Sequence, residues 1–166
     1  TSGAALSASG RLLALATANG VVVRDCQTGF LQRIDYPHEV GSLSFSSDDR
    51  MLAFAIHETD PRKDWRSGTV VYDLWDGREV FRRPTPPQLG GQARVACVSH
   101  SPTKPLIAIA EGRSVILADY ETGRSERIPV SANILSLRFR QDGEQVSFVT
   151  AKTYTCWNIS WRDTKE

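Results

Sequence analysis

The stretch Val70-Val71-Tyr72-Asp73-Leu74-Trp75-Asp76-Gly77 decides the fold. Branched and aromatic residues run into an acid and then a short polar turn closed by glycine. That composition suits a strand entering a tight turn and is too short for an amphipathic helix. The same order recurs on either side: Val21-Val22-Val23-Arg24-Asp25 is followed by Gln27-Thr28-Gly29, and Val115-Ile116-Leu117-Ala118-Asp119 by Glu121-Thr122-Gly123. The glycines Gly29, Gly77 and Gly123 stand 48 and 46 residues apart, so the 166 residues are read first as a repeat.

Working outward, each copy predicts the same series of short strands. The first copy gives Ala4 to Ser7, Leu12 to Thr17, Val21 to Cys26 and Phe30 to Ile34. The second gives Leu43 to Phe45, Met51 to Ile56, Thr69 to Leu74 and Glu79 to Arg82, and the third Val95 to Val98, Leu106 to Ala110, Ser114 to Tyr120 and Ser125 to Ile128. The fourth gives Ile134 to Phe139, Gln145 to Thr150 and Thr153 to Ile159, with a polar end from Arg162. The turns Ser9-Gly10, Ser47-Asp48-Asp49, Ser101-Pro102-Thr103 and Gln141-Asp142-Gly143 separate the first two strands of each copy. The repeats run approximately 1–37, 38–83, 84–129 and 130–166. A sheet of four short strands cannot bury both faces alone, so each copy needs neighbours stacked against it. Radial stacking does this and leaves only short edges, which favours a propeller over a two-layer sandwich.

The chain resembles the WD-repeat family. That family ends the third strand of each blade in Trp-Asp, and the matching pairs here are Arg24-Asp25, Tyr72-Asp73, Ala118-Asp119 and Trp157-Asn158. Trp157 alone keeps the tryptophan, followed by Asn158 instead of the acid, and the Gly-His pair near the start of each repeat is missing, His38 being followed by Glu39-Val40. The resemblance implies an all-β fold of four-stranded antiparallel propeller blades, about four of them, belonging to a larger ring. Closed propellers have about four to eight blades, so four is the lower limit and a small closed domain of four is the alternative. With its first residue Thr1 and its last strand ragged from Arg162 to Glu166, the chain is expected to be a piece of a longer polypeptide.

Lys and Arg number 20 against 19 Asp and Glu, so net charge calls for neither nucleic acid nor an anionic membrane. No run of 18 apolar residues occurs. Cys26, Cys97 and Cys156 are far apart and read as small buried thiols, implying an intracellular setting, cytoplasmic ahead of nuclear. Asp25, Asp73 and Asp119 are expected to accept hydrogen bonds from their own turns. His57 with Glu58 and Asp60 reads as a solvated charged loop, His38 and His100 have no ligand-spaced partner, and Gly90-Gly91 lacks the Lys and Ser/Thr of a phosphate loop. Ser99-His100-Ser101 is contiguous, so its neighbours point apart in a strand. No catalysis, metal or cofactor is expected.

In an up-and-down sheet, the loops after the second and fourth strands leave at the same end. Residues 57–68 and 84–92 are therefore predicted to share one binding face. Trp65 is the expected anchor, since aromatic and Arg side chains dominate interfaces. Arg62, Lys63, Arg66, Arg82 and Arg83 form the candidate basic patch around it. The reading is a non-catalytic protein-interaction or scaffold module whose partner is another protein or the remainder of its own longer chain. An RNA-contacting propeller of a ribonucleoprotein is the alternative, and a small-molecule-binding or enzymatic propeller the third.

Overall fold

The computed structural model describes residues 3–57, 67–85 and 94–159. Over these residues the chain consists of strands and turns, arranged as four separate antiparallel sheets. The first holds β1 (Ala4–Leu6), β2 (Leu12–Thr17), β3 (Gly20–Asp25) and β4 (Leu31–Asp35) in that order. The second holds β5 (Glu39–Phe45), β6 (Met51–His57), β7 (Ser67–Asp73) and β8 (Arg78–Thr85). The third holds β9 (Val95–His100), β10 (Leu106–Glu111), β11 (Ser114–Asp119) and β12 (Ser125–Pro129). The fourth holds β13 (Ile134–Phe139), β14 (Gln145–Thr150) and β15 (Tyr154–Asn158). These are the blades of a partial β-propeller.

The second strand of each sheet shows why they stack. In β2, β6 and β10 large and small apolar residues alternate, so the period of two sends the large ones to one face and alanines to the other. Ala14 and Ala16 of the first sheet receive Leu52, Phe54 and Ile56 of the second. Ala53 and Ala55 then receive Ile107 and Ile109 of the third, and Ala108 and Ala110 receive Val146 and Phe148 of the fourth. Each seam is thus a small face filled by a large one, the condition for close packing without voids.

The first strands lie side by side, β1 on β5, β5 on β9 and β9 on β13, and line a cavity of about 780 Å³. Serines join them. Ser42 Oγ accepts from Val98 N–H at 3.1 Å, Ser44 Oγ from His100 N–H at 3.0 Å, and Ser99 Oγ from Phe139 N–H at 3.1 Å. The polar residues alternating along these strands therefore tie successive blades together.

Of the strands that run beyond the sequence expectation, β5 and β8 extend furthest. β5 starts at Glu39, because a register shift between Val40 and Leu43 accommodates the extra residues; a Cβ on Gly41 would come within 2.9 Å of His57 Nε2. β8 continues through Pro84 to Thr85, which an outermost strand allows because one of its edges has no ladder to complete. The thiols also differ from expectation: Cys26 and Cys156 are exposed, since each lies off the packed faces, and Cys97 is half-buried, with burial raising its pKa to about 11.

Phe54 is fully buried and meets Tyr36 edge-on, with ring centroids 5.3 Å apart. Phe54→Ala should lower unfolding free energy by about 3–5 kcal/mol in urea titration, whereas Phe30→Ala, at an exposed turn, should change it by no more than about 0.5 kcal/mol.

Candidate functional site

β6 ends at His57, β7 begins at Ser67, and β8 ends at Thr85. Their register pairs His57 with Ser67 and Ser67 with Thr85, while Val95 N–H donates to Ser67 Oγ at 3.2 Å. The segments 58–66 and 86–93 consequently spring from adjacent roots at one end of the second sheet. Arg62, Lys63, Trp65 and Arg66, like residues 86–92, lie outside the described residues. The expected loop limits are corrected: His57, Ser67 and Gly68 are paired strand residues, as are Pro84 and Thr85.

Arg82 and Arg83 are consecutive on β8 and point to opposite faces. Arg82 pairs with Glu79 at 2.7 Å and lies over the Tyr36 ring, whose hydroxyl donates to Glu79 at 3.0 Å. Arg83 crosses the seam to Glu111 at 3.3 Å, and Arg127 reaches the same carboxylate oxygen at 2.8 Å. The structure does not bring the two arginines into one patch.

Beneath the loop roots lies a polar layer in the second seam that the sequence reading missed. Glu111 is fully buried, and its Oε1 finds no hydrogen-bond partner among the described residues; the same holds for Thr69 Oγ1, Thr85 Oγ1 and His57 Nδ1. His57 is buried, not solvated, because β6 carries it into the seam, and burial aided by the Arg94 charge keeps its pKa below the ordinary value. The visible signal was Glu111 itself, an acid closing the apolar run Leu106 to Ala110.

Removing both cations would leave a bare buried carboxylate. Arg83→Ala combined with Arg127→Ala should therefore destabilise the fold by about 3–5 kcal/mol in urea titration, and Glu111→Leu by clearly less.

At the opposite end, the recurring acids do what their turns require. Asp25 Oδ1 accepts from the N–H groups of Gln27 and Thr28 at 2.8 and 3.0 Å, Asp73 Oδ1 from Trp75 and Asp76 at 2.9 and 3.0 Å, and Asp119 Oδ1 from Glu121 and Thr122 at 2.9 and 3.0 Å. The glycine that follows has φ of 76°, 66° and 74° in the three copies, a conformation that side chains disfavour. Arg11 and Arg50, each just ahead of a second strand, pair with Asp25 and Asp73 at 2.7 and 2.6 Å. Those guanidinium hydrogen bonds, with the turn amides, hold both carboxyls at about 2. Across the second seam, His100 is buried with Nδ1 2.8 Å from Ser44 O, and burial lowers its pKa to about 4. Among the described residues no three His, Cys, Asp or Glu side chains stand together as metal ligands would.

Stability should fall with acid in two stages. Between the ordinary histidine value of 6.5 and about 4, unfolded chains take up a proton that folded His100 refuses. Between 3.8 and about 2, the pairing of Asp25 and Asp73, complete above that window, is lost as they protonate. Urea midpoints measured across this range should show both stages, and Asp73→Asn should shrink the lower one only.

No protein-family model and no curated protein sequence matches the chain. Solved structures do. A chain of a mitotic checkpoint complex crystal structure aligns with a TM-score of 0.75 at 17% identity, over 95% of this chain and 48% of that one. A chain of Kuenenia stuttgartiensis hydrazine synthase aligns with a TM-score of 0.72 at 13% identity, over 93% of this chain and 44% of that one. The chain thus spans about half the length of these structures. At such identities the likeness concerns the fold.

Proposed function

We propose that the chain is a non-catalytic protein-interaction or scaffold module, a run of WD-type blades within a larger ring, acting in the cytoplasm. The observation that carries this reading is the pair of long segments, 58–66 and 86–93, rooted side by side on a stack whose seams are tightly packed. A rigid scaffold presenting adjacent loops is a general arrangement for recognition. The WD-type reading draws on the turn-capping acids Asp25, Asp73 and Asp119, which occupy the family's positions. The likeness in fold to a chain of a mitotic checkpoint complex structure supports a protein partner. RNA is less favoured, because Arg82 and Arg83 are already engaged by Glu79 and Glu111.

The test compares affinity capture by three forms of the intact protein: unaltered, Trp65→Ala, and with residues 58–66 replaced by a Gly-Ser linker. The expected result is a defined protein set recovered by the unaltered form, resistant to nuclease and lost with both variants. Unchanged recovery by the variants would remove this face from consideration.

A further inference from the structure

A second surface lies at the other end of the blades, beyond the reading just given. The rims of the first two sheets leave a groove of about 430 Å³ between them, a volume typical of clefts that take a small ligand or a few side chains. Leu12, Val23 and Leu74 give it an apolar lining. Its two sides are tied across the seam: Gln32 Nε2 donates to Leu74 O at 3.0 Å, and Ser7 Oγ donates to Asp49 Oδ2 at 3.0 Å, joined there by Ser9. The groove is therefore held open by fixed contacts.

Two aromatic side chains border it in the open. Trp75 is 75% exposed and Phe30 68%. The repeat shows that the blades do not need them. The position of Trp75, two residues after the turn acid, holds Gln27 in the first copy and Glu121 in the third. The position of Phe30, just after the turn glycine, holds Arg78 and Arg124 in the other copies. Polar residues serve the same turns elsewhere, so turn geometry does not require the aromatics; Arg50 covers part of one face of Trp75 at 5.5 Å, yet the ring stays mostly exposed, as is typical of the anchors of binding surfaces.

The charge around the groove selects the partner. Asp25, Asp48 and Asp49 line it, and the cations beside it are already engaged, Arg11 by Asp25 and Arg50, which lies over the Trp75 ring, by Asp73 and Asp76. Asp49 Oδ1 is buried and has no hydrogen-bond partner among the described residues. We propose that this groove binds an extended segment of a partner protein carrying a Lys or Arg beside an apolar side chain, the apolar group packing between Phe30 and Trp75 and the cation facing the carboxylates. The arrangement joins an aromatic anchor to complementary charge at a solvent-exposed rim.

Two pools of acetylated pentapeptides serve as probes, one with Lys or Arg between apolar residues and the other with Asp or Glu there. They are titrated against the intact protein, following the fluorescence of its four tryptophans. The cationic pool should give saturable quenching, with the anionic pool at least about tenfold weaker. Trp75→Gln should abolish the quenching, and Phe30→Gln should weaken binding about fivefold or more, while both keep the urea midpoint of the unaltered protein. The protein with residues 58–66 replaced should bind the cationic pool normally, which separates this surface from the loop face. Absence of saturable binding by the cationic pool, equal binding of both pools, or unaltered affinity in Trp75→Gln would overturn the proposal. So would self-association that Trp75→Gln abolishes, since that would assign the surface to a second copy.

Discussion

Everything in this chain rests on a size rule in the second strand of each sheet. Alternation of large and small apolar residues gives every blade one bulky face and one slim face, and the order never reverses along the three seams. A sheet with two bulky faces would be forced apart, and one with two slim faces would leave voids. Because the alternation follows the strand period, the same residues fix the strand and the direction in which it stacks.

Polar groups then set the register between the blades. Ser42, Ser44 and Ser99 tie the first strands through backbone N–H groups, so the inner edges cannot slide without losing a bond each. At the rims the ties differ from copy to copy. Arg11 and Arg50 brace the acids of the first two copies, but Lys104-Pro105 stands ahead of the third copy's second strand. In the fourth, Gln145 donates to Asn158 at 2.7 Å, so an amide pair takes over the same location. The acid's turn-capping role survives the loss of its arginine, as Asp119 shows.

The strands and turns were legible because each is a local matter. Leu12–Thr17, Ile134–Phe139 and Gln145–Thr150 follow from composition and period alone. What depends on a neighbouring blade was not legible. His57 reads as a loop residue beside Glu58 and Asp60, yet strand pairing carries it into a seam. Arg82 and Arg83 read as a single patch, but one turns toward Glu79 and the other toward Glu111, 28 residues further along the chain. Trp75 was visible only as part of a turn, and comparison with Gln27 and Glu121 at the matching positions is the signal that marks it as unusual.

The size rule also describes the two faces that the described residues leave uncovered. On the far side of the first sheet, Leu6, Leu13 and Leu15 share the bulky face, and Leu6 and Leu15 are 62% and 43% exposed. On the far side of the fourth, Ser147 and Val149 take the slim positions that alanines hold in the earlier copies. A sheet packed against the first would therefore have to offer small residues at alternate positions of its second strand, and one packed against the fourth would have to offer large ones. Arg138 occupies the inner-strand position that Ser44 and Ser99 use for their ties, so that second junction would need a different polar contact. The two faces thus differ in bulk more than in charge: on the first, Leu6, Leu13, Leu15 and Leu31 stand beside Arg24 and Arg33, and on the fourth, Ser147 and Val149 stand beside Arg138.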